Sequence, residues 1–240
     1  MSKDKISKTQ LNTKIHLSQG NIKSKCTDDT VFLTWSLPSQ KTCPYATALC
    51  KKKCFAKKNE TFKTVMASRE SNLDETQKET FINDMITHLE YHLQRPSIKN
   101  KKVFVRIHTS GDFYNLDYFK KWIIIADHFA DNNNILFQAY TKSMPIILDF
   151  LREESKDDNI ETMKQILKNI NIHLVWSIWH DTPKEYNTWA YKLEMQTFTA
   201  LPKQEIEEEV NKGSFLCNGD CGNCKECYVG KSLQIVIPYH

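Results

Sequence analysis

The chain has 240 residues, and its 40% apolar and 11% aromatic content excludes an intrinsically disordered protein. Its net charge of +4, from 33 basic and 29 acidic residues, is too small by itself to indicate a nucleic-acid-binding protein. No apolar run approaches the roughly 20 residues that cross a bilayer, and residues 1–14 lack the apolar core of a secretory signal, so we expect a cytoplasmic protein with no membrane partner.

Strand and helix patterns alternate along the chain. Runs of β-branched and aromatic residues predict strands, and apolar residues spaced by three or four predict the helices between them. The predicted strands cover residues 31–37, 102–110, 134–141, 172–179, 196–202 and 233–239. The predicted helices cover residues 73–94, 116–130, 145–167, 183–195 and 203–212. Helical connections of this length are typical of parallel βαβ units.

This order of about six strands predicts an α/β fold, a parallel (β/α) partial barrel of the TIM type. No G-x-G-x-x-G loop follows the first strand, which argues against an open dinucleotide-binding sheet. Because no linker or repeat divides the chain, we predict a single domain over residues 1–240. Within it, residues 1–30 form an N-terminal extension, and residues 213–240 form a cysteine-rich loop and the last strand.

One face of the predicted strands is polar. Side-chain alternation places Arg106, His108 and Ser110 on one face of the second strand, and Gln138 with Tyr140 on one face of the third. A strand covered on both faces is normally apolar throughout, and an unpaired polar group in a dry core costs about 1–3 kcal/mol. We therefore expect a closed or nearly closed barrel that holds water or a ligand. Mutual pairing of these polar side chains is the alternative.

The first cysteine group, Cys43, Cys50 and Cys54, follows the first predicted strand in the segment CPYATALCKKKCFA. A reducing cytoplasm favours metal binding over disulfides. A structural zinc site needs four ligands, and no histidine stands at ligand spacing from these three thiols. Three cysteines on a [4Fe–4S] cluster would leave one iron open, as catalytic metal sites do. The lysines at 51–53, 57 and 58 either form a solvated face or lower the pKa of the thiols and offset an anionic cluster.

The second cysteine group is Cys217, Cys221, Cys224 and Cys227, in a C-x3-C-x2-C-x2-C run. Four thiolates in a short loop that contains glycine satisfy a tetrahedral ion or a cubane cluster. The repeated two-residue gaps resemble bacterial ferredoxin spacing and favour [4Fe–4S], with zinc as the alternative at this group. Cys26 stands apart from both groups in sequence, and we predict an ordinary buried or free thiol there.

Function in parallel barrels gathers where strands end and loops begin. Asp112, Lys142 and His180 follow the ends of three predicted strands, and we predict them as catalytic residues. A structural role is the alternative for His180, and a capping side chain in a strand-to-helix turn is the alternative for Asp112. No role is assigned to His240 at the C-terminus.

Several motifs resemble the phage- and plasmid-associated gene product 88 family. They are LSQGNIK at 17–23, LPSQKTCPYATALCKKKCFA at 37–56, VRIHTSGDFYN at 105–115, FQAYTK at 137–142 and the terminal four-cysteine loop. That family is in turn similar to the radical S-adenosylmethionine (radical SAM) barrels. The resemblance implies an incomplete barrel of six βα units whose first loop carries the cluster cysteines. It also implies S-adenosylmethionine on the open iron, its reductive cleavage to a 5′-deoxyadenosyl radical, and a second, C-terminal cluster.

The same resemblance implies cofactor-binding residues at the end of the second predicted strand. The segment Ser110, Gly111 and Asp112 stands nearest to the GGE-like motif that holds the amino group of S-adenosylmethionine, and Thr141 follows at the end of the next strand. Glycine permits a close backbone approach, and a carboxylate can accept from an ammonium group. The triplet spacing, C-x6-C-x3-C, differs from the C-x3-C-x2-C of radical SAM enzymes.

Three functions follow from these patterns. The first is an iron–sulfur enzyme, radical SAM-like or otherwise an oxidoreductase, with two [4Fe–4S] clusters and a small-molecule substrate. The second is a redox or electron-transfer protein that uses the same clusters and an electron donor without S-adenosylmethionine, which the unusual triplet spacing favours. The third is a zinc- or cluster-bearing regulatory protein of mobile elements that binds nucleic acid through the lysines at 51–58.

Overall fold

The computed structural model describes residues 11, 13–21, 24–230 and 232–239. Part of the LSQGNIK motif (Ile22 and Lys23) and His240 lie outside the described residues. The strands are β1 (Ser18–Gln19), β2 (Thr30–Ser36), β3 (Lys102–Ser110), β4 (Ile135–Thr141), β5 (Ile172–Ile178), β6 (Gln196–Leu201), β7 (Phe215–Leu216) and β8 (Gln234–Pro238). The helices are α1 (Ala48–Lys52), α2 (Phe55–Asn59), α3 (Lys63–Thr76), α4 (Phe81–Gln94), α5 (Leu116–His128), α6 (Met144–Ser155), α7 (Ile160–Asn169), α8 (Lys184–Lys192), α9 (Lys203–Asn211), α10 (Cys221–Cys224) and α11 (Glu226–Val229).

The strands form one mostly parallel sheet of eight, in the order β1-β2-β3-β4-β5-β6-β8-β7. Only β1 runs antiparallel to its neighbour among the described pairings. The six long strands are those predicted from the sequence, and they follow one another without the reversal of a doubly wound sheet. In the described ranges no pairing joins β1 to β7, so the sheet does not form a closed barrel.

One face of the sheet packs against the long helices. Val103, Val105 and Ile107 of β3 and Phe137 and Ala139 of β4 belong to this core, as their alternation predicted. The core extends over α4, α5 and α6, which contribute fully buried residues such as Met85, Trp122 and Ile147. Burial of this face, at roughly 25 cal/mol per Å² of apolar area, is the main term that holds the helices on the sheet.

The opposite face, called here the inner face, carries the polar residues. Its lower half is apolar, because Phe32 and Phe104 stack at 5.3 Å and pack against Tyr228 of α11. Above them stand Arg106 and Gln138, which are register partners on β3 and β4. The segment that carries the second cysteine group therefore covers the inner face near the start of the strands, and α11 contacts β4 and β5.

Two predicted helices are interrupted. The stretch 73–94 divides between α3 and α4, because Gln77 and Lys78 turn the chain with short-range bonds to Asp74 and Glu75. The stretch 145–167 divides between α6 and α7, because Lys156 adopts a left-handed conformation at φ 56° and ends α6. Neither interruption changes the apolar spacing along the helix face, so periodicity alone does not detect it. None of the helices in the described part of the chain is long and apolar enough to span a bilayer.

His108 lies on the helix side of the sheet, so its predicted place beside Arg106 and Ser110 is wrong. Thr34 pairs with Arg106 but Ser36 pairs with Ser110, so β3 carries extra residues at a bulge where His108 has φ 65°. The bulge turns the ring toward the helices. His108 Nε2 lies 2.9 Å from the Tyr118 hydroxyl, within the helix-side core.

We expect His108 to make the fold sensitive to acid. Burial lowers the pKa of His108 to about 3, whereas an unfolded chain gives about 6.5. Between these values the unfolded state binds the extra proton, so stability is present above pH 6.5 and is lost as the pH falls. The expected loss is about 2 kcal/mol between pH 7 and pH 5.

His108→Asn should remove this loss, because asparagine tolerates the left-handed backbone and does not titrate. The measurement is the free energy of unfolding in denaturant at both pH values, with Lys99→Gln as a non-titrating surface control. A pH slope in the His108→Asn protein as steep as that of the wild type would contradict the assignment.

Candidate functional site

The first cysteine group lies at the carboxyl-terminal edge of the sheet, in the segment that follows β2. Cys43 occupies a turn, Cys50 lies on α1, and Cys54 immediately precedes α2. The Thr47 side chain caps α1 by accepting from the backbone N of Cys50 at 3.2 Å. The three thiols influence one another electrostatically, so they lie in one neighbourhood.

Burial governs the thiols of this group. Burial, together with the nearby Asp112 carboxyl, raises the pKa of Cys43 to about 12. Burial also raises the pKa of Cys50, and Lys142 is the group that opposes this shift most. The lysines at 51–53, 57 and 58 are all exposed, which favours their interpretation as a solvated face. Cys43 and Cys50 are therefore protonated at neutral pH unless a metal replaces the proton.

Asp112 connects the ends of β3 and β4. Its Oδ1 accepts from the Thr141 hydroxyl at 2.7 Å and from the Phe113 backbone N at 2.8 Å. Its Oδ2 accepts from the Lys142 backbone N at 2.8 Å. Burial raises the pKa of Asp112 to about 6, although these hydrogen bonds oppose the shift. Asp112 therefore positions Thr141 and Lys142 as well as contributing charge.

Lys142 directs its ammonium group across the same edge. Nζ donates to the backbone oxygen of Ser177 at 2.7 Å and to the Ser177 hydroxyl at 3.1 Å. Nζ also lies 5.7 Å from the centre of the Trp179 ring. Burial lowers the pKa of Lys142 to about 8, with Cys50 and Asp112 as the main opposing groups. The structure thus brings together the predicted residues Asp112, Thr141 and Lys142 with the first cysteine group.

Gly111 joins Ser110 to Asp112 in a conformation that a side chain cannot adopt easily. Its φ is 87°, and an added Cβ would lie 2.7 Å from both Leu37 Cβ and Thr42 Oγ1. The glycine therefore lets β3 end in close contact with the segment that leads to Cys43. Ser110 is 3% exposed, and its hydroxyl has no hydrogen-bond partner within the described ranges.

His180 lies apart from this cluster. Its Nε2 pairs with Glu205 at 3.1 Å, and its side chain is about half exposed. Its ring stands 6.2 Å from that of Tyr239. Since its contacts are with Glu205 of α9 and with Tyr239, which follows β8, His180 is placed at the rim and not with Cys43 and Asp112. The neighbouring Asp181, which was not predicted, accepts from the Leu49 backbone N at 2.6 Å and so ties α1 to the end of β5.

A second unpredicted feature holds both ends of the cysteine segment. Glu60 accepts from the backbone N and the hydroxyl of Ser39, each at 2.6 Å. Arg69 of α3 donates to Glu60 at 2.8 Å and to the backbone oxygen of Ala56 at 3.0 Å. Ser39 precedes Cys43 and Ala56 follows Cys54, so this buried pair clamps the segment at entry and exit. Its only sequence signal is two charges in a helical region, which does not distinguish it from a surface pair.

The second cysteine group forms a compact lobe on the inner face. Cys217, Cys221, Cys224 and Cys227 line one small cavity together with Tyr140. Burial raises the pKa of Cys227 to about 12, and a hydrogen bond with the Tyr140 hydroxyl opposes the shift. Lys142 lies two residues beyond Tyr140, about 7 Å along an extended chain. The end of β4 therefore reaches both cysteine groups.

The donor chemistry of both groups suits iron or zinc, although ligand geometry is not formed. No disulfide links the cysteines in the described part of the chain. The described residues also contain no group of three or more His, Cys, Asp or Glu side chains arranged to hold a metal ion. A zinc ion requires its four ligands to converge on one point, whereas a cubane takes each thiolate on a separate iron. The three thiols of the first group alone do not supply the four converging ligands of a zinc site.

A cavity of about 340 Å³ lies elsewhere, at the opposite end of β5. Its lining includes Lys168, His173 and Gln196 and none of the predicted site residues. We therefore place the candidate site at the carboxyl-terminal edge, where thiols, a buried lysine and a buried carboxyl meet.

Comparisons with known proteins agree with the motifs. A model of the family described as gene product 88 matches residues 4–230. The gene 88 protein of Mycobacterium phage L5 is 32% identical over 110 residues, which cover 42% of this chain and 43% of that protein. The chain thus spans less than half the length of this curated relative in the match. No solved structure matches the chain. Since the family model covers nearly the whole sequence, the chain belongs to the gene product 88 family.

Proposed function

We propose that this protein is an iron–sulfur redox enzyme in which Cys43, Cys50 and Cys54 hold a [4Fe–4S] cluster. The observation that carries the proposal is the arrangement at the carboxyl-terminal edge of the sheet, where the three thiols share one neighbourhood with Asp112 and Lys142. The groups that act most strongly on Cys43 and Cys50 include no fourth cysteine and no histidine, and the Asp112 carboxyl among them already accepts three hydrogen bonds from the protein. When bound there, such a cluster supplies one-electron chemistry and an open iron for a small-molecule ligand.

The surrounding residues have separate tasks in this proposal. Lys142, with a pKa of about 8, is mostly cationic at pH 7 and stabilises negative charge at Cys50. It is also the residue best suited to give a proton to a ligand, because its pKa lies near neutrality. Asp112 fixes Lys142 through the backbone bond at 2.8 Å. Gly111 keeps the end of β3 close to the cysteine segment.

The finer fold proposal is a partial (β/α) barrel of the radical SAM type. Its support is the sequential order of six parallel strands, with the first cysteine group after the first of them. S-Adenosylmethionine is then the candidate ligand of the open iron, held by Ser110, Gly111 and Thr141. Redox chemistry without S-adenosylmethionine has its own support, because the Asp112 oxygens already accept three hydrogen bonds from the protein.

The second cysteine group is proposed to hold another [4Fe–4S] cluster, with zinc as the alternative. Its support is the common cavity of the four thiols and the hydrogen bond between Tyr140 and Cys227. A cluster there would lie within short reach of the first group through the end of β4, which suits electron transfer between them.

Anaerobic purification followed by iron, sulfide and zinc analysis tests the proposal. We expect a brown protein with about seven to eight iron atoms per chain if both groups hold cubanes. Addition of dithionite and S-adenosylmethionine should then give 5′-deoxyadenosine if the radical SAM form is correct. A protein that contains iron but does not cleave S-adenosylmethionine would support redox chemistry without S-adenosylmethionine. Zinc as the sole metal would overturn the redox proposal.

A second candidate function, nucleic-acid binding, is favoured by the surface beside the first cysteine group. Phe55 and Phe62 are 53% and 64% exposed, and they stand among the exposed lysines at 51–53, 57, 58 and 63. Exposed aromatic rings between cations are the pattern that binds single-stranded nucleic acid, through base stacking and phosphate contacts.

We expect the double variant Phe55→Ala and Phe62→Ala to weaken binding of a single-stranded DNA oligonucleotide by at least about tenfold, since stacking contributes about 1–3 kcal/mol per base. Fluorescence anisotropy at two salt concentrations is the measurement. Tyr191→Ala, which removes an aromatic ring that is 54% exposed on another helix, is the matched control. Wild-type protein that does not bind the oligonucleotide at low salt would eliminate this function.

A further inference from the structure

The inner face contains a row of buried polar groups that the proposed cluster chemistry does not use. Gln138 is fully buried, and neither atom of its side-chain amide has a hydrogen-bond partner among the described residues. Its register partner on β3, Arg106, likewise has a buried Nε without a partner in the described ranges. The hydroxyl of Ser110 is in the same condition nearer the carboxyl-terminal edge. Each such group costs about 1–3 kcal/mol when it is left unpaired.

Arg106 also lacks an opposite charge. Its guanidinium carbon stands 4.8 Å from the centre of the Tyr140 ring, and no carboxylate in the described part of the chain forms an ion pair with it. The groups that act on it are Tyr140, Tyr228 and the thiols of the second group. None of these residues is a carboxylate. A guanidinium stays charged at neutral pH, so an anion would stabilise this half-buried group, whose Nε is buried without a partner among the described residues.

Gln138 narrows the chemistry of that anion. Its amide nitrogen needs an acceptor and its amide oxygen needs a donor. Metal-bound thiolates or sulfides could offset the charge of Arg106, but they offer no donor to the oxygen of Gln138. A small molecule with an acidic group and a hydroxyl or amine satisfies both residues. Its other end would extend toward Ser110 and the first cysteine group.

We propose that the inner face binds a small hydroxylated or amine-bearing acid, with its carboxylate or phosphate on Arg106 and its donor on Gln138. The further claim that this acid is the substrate of the enzyme rests on the proposed function. Binding itself depends on Arg106 and Gln138 and does not require the metal.

Thermal unfolding of the anaerobically purified protein with increasing glycerate, inorganic phosphate or glycerol tests the proposal. We expect a saturable rise in the melting temperature with glycerate or phosphate and none with glycerol, which lacks the acidic group. A larger rise with glycerate than with phosphate would indicate a carboxylate ligand, and the reverse would indicate a phosphate ligand. No response to either anion would overturn the proposal.

Arg106→Gln should lower the affinity for whichever anion stabilises the wild type by at least about tenfold, because a charged hydrogen-bonding group is lost. Lys99→Gln, which removes the same charge from the surface, is the control and should respond as the wild type does. If Arg106→Gln instead releases metal from the second cysteine group while the anion response is unchanged, Arg106 is a counter-ion of that group and the proposal is wrong.

Gln138→Glu provides a second test, in which the variant is expected to be more stable than the wild type. A carboxylate beside Arg106 supplies the missing anion from the protein itself. We expect a higher melting temperature without any probe and loss of the response to the anion. An unchanged response would overturn the proposal. Metal analysis of the same samples separates the two proposals. If an iron-free protein still binds the anion through Arg106, the iron–sulfur enzyme proposal is wrong and the anion-site proposal stands.

Discussion

Replacing Cys50 with alanine is expected to lower the iron content of the anaerobically purified protein by about half, from about eight atoms per chain to about four. Cys50 shares its surroundings with the thiols of Cys43 and Cys54. Two remaining thiolates would hold a cubane poorly, whereas the second group keeps all four of its ligands. Iron, sulfide and absorbance measurements on matched preparations give the result.

The controls distinguish the two groups. Cys26→Ala removes an exposed thiol that belongs to neither group, and its iron content should equal that of the wild type. Cys221→Ala should remove the complementary half of the iron and leave the open cluster. If Cys50→Ala retains all of its iron, or if Cys26→Ala loses as much, the assignment of the first group is wrong.

Arg69→Met is expected to destabilise the protein by about 3–5 kcal/mol, because it leaves a buried carboxylate without its partner. The Arg69 and Glu60 side chains are only 7% and 13% exposed and lie 2.8 Å apart. Burial alone would raise the pKa of Glu60, but the hydrogen bonds from Ser39 and Arg69 lower it, so the carboxylate is charged at neutral pH. The variant should also hold iron less firmly at the first group, since Glu60 and Arg69 fix both ends of its segment. Denaturant unfolding followed by circular dichroism measures the stability.

Lys41→Gln is the matched control for this prediction. Lys41 and Glu70 form a pair of similar length, 2.7 Å, but their side chains are 58% and 34% exposed. An exposed pair contributes about 0–1 kcal/mol. Equal losses in Arg69→Met and Lys41→Gln would show that burial of the Glu60 pair has no energetic consequence, against our expectation.

The strand assignments show what local patterns can predict. The residues of β3 and β4 alternate between a helix-packed face and a polar face, and the period of two makes this visible in one sequence. His108 is the exception, because a bulge with φ 65° interrupts the period. A bulge is decided by the pairing of β3 with β2, so the residues of β3 alone do not reveal it.

The candidate site also contains some residues that the sequence predicted and others that only the structure revealed. Cysteine spacing and the strand ends identified the thiols, Asp112 and Lys142 from the sequence. Glu60, Arg69 and Asp181 carry no local signal, because their role depends on partners between 9 and 132 residues away. His180 had the right position at a strand end but turns toward Glu205.

The sequence by itself determined the strand–helix alternation, the two thiol groups and the family. These depend on periodicity and spacing, which are properties of neighbouring residues. Only the tertiary structure decided that β1 and β7 do not pair, that Asp112 connects two strand ends, and that the half-buried Arg106 has no carboxylate partner among the described residues. Those features arise from contacts between distant segments, whose energies of a few kcal/mol depend on burial and geometry that no local pattern encodes.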